Sequence, residues 1–81
     1  MQEFNDRYTQ AHTYHQLGIL AQMEQDLVEA KRNYCEAFTI FHESNDPYHQ
    51  AGASYQLGLV AEGAVEKARQ QVYETIINIE K

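Results

Sequence analysis

From Leu27 onward the apolar residues Leu27, Ala30, Tyr34, Ala37, Phe38 and Phe41 recur at spacings of three and four, the period of one buried helical stripe. Strand-like alternation appears nowhere, so the pattern predicts an all-α chain. Helix starts are written in the polar residues between stripes. Asp46 before Pro47 reads as an N-cap followed by a first-turn proline, because proline lacks the N–H that a first turn leaves unpaired and its ring presets the helical φ. Asn5-Asp6 carries the same signal near the amino end. Asp26-Leu27-Val28-Glu29 adds a capping-box-like start for the helix that bears the stripe.

The signal is duplicated. Shifting the chain by 40 residues aligns Glu3–Ala21 with Glu43–Ala61, and 10 of the 19 pairs are identical, among them Tyr8/Tyr48, Ala11/Ala51, Gln16/Gln56, Leu17/Leu57, Gly18/Gly58 and Ala21/Ala61. The later halves match at an offset of 38, with Ala30-Lys31 on Ala68-Arg69 and Glu36 on Glu74. Residues 1–81 thus form one domain of two units, about 5–43 and about 45–80.

Two residues are missing where the second unit should turn. Eight residues including Asp26 separate Ala21 from Ala30, but six separate Ala61 from Ala68, and no Ser, Thr, Asp or Asn occurs from Tyr55 to Glu74. Leu57, Ala61, Ala64 or Val65, Ala68, Val72, Ile76 and Ile79 continue the three-and-four spacing straight through the gap. The expectation is that the third and fourth helices fuse into one rod from about Pro47 to Glu80, about 50 Å long at 1.5 Å per residue. Such a rod does not fold back on its own unit and pairs instead with a second copy, exchanging helices as in a domain-swapped homodimer. The alternative is an ordinary hairpin turning at Gly63.

Tyr14, Leu17-Gly18, Ala21, Ala30, Tyr34, Ala37 and Phe41, in that order, resemble the tetratricopeptide repeat in its roughly 40-residue bacterial variety. The second unit keeps Leu57-Gly58, Ala61 and Ala68 but has Ser54, Val72 and Thr75 for Tyr14, Tyr34 and Ala37. Small residues at Gly18, Ala21 and Ala30 let two helices approach closely. The resemblance implies tandem helix-turn-helix repeats and a role in protein–protein interaction. It also implies a groove lined by the first helix of each unit, here His12, His15, Ile19, Gln22, Met23, Gly52, Tyr55, Leu59 and Glu62. His15 and Ile19 stand where some members carry a lysine and an asparagine that clamp a partner's carboxylate, so that specialised binding is not expected. Val65, Val72, Ile76 and Ile79 are the candidates for self-association. Two other readings are a monomeric peptide-binding groove and an excerpt of a longer array acting as a regulatory sensor. Glu3–Asp6 resembles the end of an earlier repeat's second helix.

Composition narrows the partners. Twelve acidic and six basic side chains give a net charge of -6, which opposes the phosphate neutralisation that nucleic-acid binding needs. The charge is uneven, since residues 8–22 and 47–61 carry no Asp, Glu, Lys or Arg. A chain of this size buries roughly 60–65% of its unfolded surface, a thin core that a partner would complete. No apolar run is long enough for a membrane span and no secretory leader is evident, so a cytoplasmic location is expected. The single cysteine agrees with a reducing compartment.

Chemistry-bearing motifs are sparse. His12 and His15 lie one turn apart, with His42 and His49 as further imidazoles, but no glutamate has a histidine three residues later as helical di-metal sites require, so no metal is assigned. Cys35 reads as a plain, partly buried thiol. Glycine-rich phosphate loops, serine elbows and paired-carboxylate motifs are missing, and the chain is read as a non-enzyme without a cofactor. Glu29/Arg32 and Glu66/Arg69 read as solvated helix pairs.

Overall fold

A computed structural model describes the chain from Glu3 to Glu80, with side chains from Arg7 to Ile79. Its described residues form three helices and no strand: α1 (Glu3–Met23), α2 (Leu27–Glu43) and α3 (Pro47–Glu80). α2 packs against both α1 and α3.

The two turns are built alike. Gln25 takes φ 63° and Asn45 φ 58°, the left-handed conformation that ends a helix. In each turn the next amide reaches back over the last turn, Asp26 N–H to the Ala21 carbonyl at 2.8 Å and Asp46 N–H to the Phe41 carbonyl at 2.9 Å. These bonds satisfy carbonyls the ending helix would otherwise leave open. Each aspartate then caps the following helix: Asp26 Oδ1 accepts from the Glu29 amide at 3.2 Å, and Asp46 Oδ1 from the His49 amide at 3.1 Å. Both expected caps therefore form. Glu29 turns to Arg32 instead of closing its half of the box.

Asn5-Asp6 does not start a helix, because α1 already begins at Glu3 and runs through the pair. Asp46 is a boundary because Pro47 comes next and disfavours helical geometry in the residue before it, a restriction that Arg7 does not impose on Asp6. Nor is Glu3–Asp6 a separate helix end; its backbone belongs to α1.

The core lies along α2. One cluster joins Ala11 to Ala37, Ile40 and Phe41, with Tyr14 against it. A second joins Ala21, Ala30, Tyr34 and Val60, with Ile19, Leu27 and Leu57 against it. Tyr34 is fully buried between the helices and donates through its hydroxyl to Gln22 Oε1 at 2.6 Å. A Cβ on Gly18 would come within 2.6 Å of the Tyr34 ring, so only glycine lets α1 and α2 meet there. Buried Asn33 is satisfied by donating to the Glu29 carbonyl at 3.0 Å.

α3 docks only its first half. Ala53 and Val60 are buried, whereas every described residue from Ala64 to Ile79 is exposed. Gly63 has no positive φ and packs at ordinary distance against Leu27, so the chain does not turn there. The free half of the rod extends the molecule to 63 Å. Among the described residues no helix is long and apolar enough to cross a membrane.

Candidate functional site

Two surfaces stand out, and different elements build them. At the end of α2, the rings of His12, Phe41 and His49 meet, with His12–Phe41 centroids 5.1 Å apart, His12–His49 4.9 Å and Phe41–His49 5.1 Å. Asp46 organises this end. It accepts from the Tyr8 hydroxyl and lies 2.7 Å from His49 Nδ1, in addition to capping α3. Those bonds, the Tyr8 bond first, hold the Asp46 carboxyl at about 2, and the same contact pushes the Tyr8 phenol up.

The rings open onto a cavity of about 440 Å³ whose walls include His12, His15, Tyr48, His49, Gly52 and Tyr55. His15 stacks edge-on to Tyr34 at 5.4 Å, and its Nδ1 is buried without a hydrogen-bond partner. Burial, reinforced by His12 and His49, pushes the His15 pKa down and favours neutral imidazole. Among the described residues no three His, Cys, Asp or Glu side chains converge as a metal site.

Of the groove residues expected from the resemblance, the structure brings His12, His15, Gly52 and Tyr55 to this cavity. Ile19 and Gln22 are engaged elsewhere, Ile19 against the Tyr34 cluster and Gln22 with the Tyr34 hydroxyl. Met23, Leu59 and Glu62 are exposed outside the cavity. Tyr48, Phe41 and the stacked position of His49 were not among the expected lining. For Tyr48 and His49 the sequence signal was the Asp46 cap, which fixes where α3 starts and hence where these two side chains point.

The second surface is the free half of α3. Val65, Val72, Ile76 and Ile79, the candidates for self-association, are 58%, 57%, 47% and 77% exposed. Beside their helix a cavity of about 530 Å³ runs between α2 and α3, walled by Leu27, Val28, Cys35, Leu57, Ala61 and Ala64. Cys35 is exposed on this groove, contrary to the partly buried thiol expected, because among the described residues no helix lies over that face of α2.

Comparison with protein-family models, with curated proteins and with solved structures gives no match. The aromatic end offers imidazole and aromatic edges, and the rod offers apolar helix surface beside an apolar groove.

Proposed function

We propose that the chain is a protein–protein interaction module of tetratricopeptide type that associates with itself through its second unit. One contrast carries the reading. Gly18 on α1 is roofed by Tyr34, but a Cβ on Gly58, its duplicate on α3, would meet nothing within 4 Å among the described residues. The segment that duplicates α2, with Val72, Ile76 and Ile79, instead points into solvent along the rod. A donor helix and an uncovered acceptor face thus belong to one chain, the arrangement that domain exchange uses. The small-residue repeat and the Gly18–Tyr34 contact support the family assignment.

Light scattering at micromolar concentration tests it. Wild type is expected at twice the 9.4 kDa chain mass, and Ile76→Asp, which places a charge on the apolar rod, at the single-chain mass. A wild-type monomer sinks the proposal.

The cavity at the end of α2 favours a second reading, a groove for a peptide carrying apolar or basic side chains. Peptide-array hits that lose binding on Tyr55→Ala would support it, and hits indifferent to Tyr55→Ala would count against it.

A further inference from the structure

We infer that two copies pair their α3 rods antiparallel about a two-fold axis at Val65, with the partner's Val72 over Gly58. This inference rests on the self-association proposed above and assigns its geometry.

The register follows from the pairing inside the chain. α1 and α2 run antiparallel, with Gly18 under Tyr34 and, seven residues toward the amino end of α1, Ala11 in one cluster with Phe41, seven residues further along α2. Carried through the offsets of 40 and 38, these pairs become Gly58 with the partner's Val72 and Ala51 with the partner's Ile79. Val65 lies seven residues from both Gly58 and Val72. An antiparallel pairing of identical helices therefore places Val65 opposite the partner's Val65, on the symmetry axis.

The rod is patterned for this contact. Ala51, Gly58, Val65, Val72 and Ile79 repeat every seven residues, and Ser54, Ala61, Ala68 and Thr75 fall between them, a nine-position seam without charge. All nine are exposed in the single chain. Such a seven-residue repeat keeps one seam facing a partner helix along its length. Small residues on the amino-terminal half of the seam meet valine and isoleucine on the carboxy-terminal half, so the two halves fit in opposite directions.

The flanks agree. In this register Glu62 and the partner's Arg69 lie on the same flank within one residue of level, an opposite-charge pair made twice by symmetry, and Tyr55 lies in the same way beside the partner's Ile76. The partner's rod runs beside the groove between α2 and α3, the cavity that Val28, Cys35, Leu57 and Ala61 help to wall. Copies aligned in parallel would instead set Arg69 beside the partner's Arg69 and leave Gly58 against glycine.

Cysteine cross-linking of the full chain with Cys35→Ser tests the register, with light scattering run on each variant. On mild oxidation Val65→Cys is expected to run mostly as a disulfide-linked dimer, Val72→Cys alone as monomer, and Gly58→Cys combined with Val72→Cys as dimer. Glu62→Lys is expected to weaken the dimer several-fold, and adding Arg69→Glu to restore it. Strong linking by Val72→Cys alone identifies a parallel rod pair and overturns the inference. A dimer by mass that neither Val65→Cys nor the Gly58/Val72 pair links overturns the register while leaving self-association standing. A monomer by mass removes both.

Discussion

Gly18 and Gly58 are duplicates with opposite surroundings, the first pressed against a buried tyrosine and the second open. The segments that carry them share 10 of 19 residues, and the difference in outcome arises further along the chain. After α1 the chain turns at Gln25, in the left-handed conformation, and Asp26 caps the next helix. Forty residues on stand Val65 and Glu66, and at the offset of 38 that holds beyond the gap Gly63 and Ala64, so neither alignment puts a good cap after the turn position. A β-branched residue is strongly disfavoured with positive φ, and glutamate is a weaker N-cap than aspartate. The helix therefore continues. One unwritten turn leaves α1 and α2 folded on each other and α3 running on as a single rod. Whether a helix ends or runs on thus depends on about two residues.

The largest expected difference between the units comes from their roofs. Tyr34→Ala empties a fully buried site and removes the bond to Gln22, and should cost about 3–5 kcal/mol in urea unfolding. Val72→Ala should leave the α1–α2 hairpin intact and weaken only association. Comparable loss of hairpin stability from both would break the comparison. Next comes the close approach itself. Gly18→Ala forces a methyl into the Tyr34 ring and should cost roughly 1–3 kcal/mol. Gly58→Ala meets no such ring and should cost less, by the same unfolding measurement.

Writing the missing turn into the rod sharpens the comparison further. Val65→Asn with Glu66→Asp supplies a residue tolerant of positive φ and a cap worth about 1 kcal/mol. It should raise the dimer dissociation constant by about tenfold, as read by dilution light scattering.

Acid should act on the end organised by Asp46. Its folded-state carboxyl, at about 2, lies below the ordinary 3.8, so ionised Asp46 stabilises the fold fully above pH 4 and loses that contribution as pH falls toward 2. Asp46→Asn should remove this part of the acid dependence of melting temperature. His15 acts at higher pH with the same sign. Its pKa is lowered from 6.5, so the stability it contributes is present above that value and declines as pH drops below it. The smallest effect belongs to the exposed Arg7–Glu43 pair, 2.8 Å apart. Arg7→Ala should change unfolding stability by less than about 1 kcal/mol.

Helix periodicity was legible where side chains are selected by packing. The Ala30, Tyr34, Ala37 and Phe41 stripe is buried, and Asp26 and Asp46 make the cap bonds their types favour. Asn5-Asp6 misled because a cap residue marks a boundary only where the preceding backbone leaves the helix, and here α1 runs through it. Gln25 gave no warning of its positive φ, since glutamine has no special preference for that conformation. The His12–Phe41–His49 cluster joins three helices, and contacts of that range depend on interhelical geometry that spacing along one helix does not encode. The exposure of Cys35 likewise depends on which helix fails to cover α2.

Hydrogen exchange of the amides from Glu66 to Ile79, followed over a dilution series, tests the pairing of the rods most directly. A helical arm without packed neighbours opens locally at low free-energy cost, whereas the same arm held by a second rod exchanges slowly. Protection of this segment should fall on dilution, while the amides of α2 around Tyr34 stay protected throughout. Protection of residues 66–79 that is independent of concentration, or weak at every concentration, would contradict rod pairing.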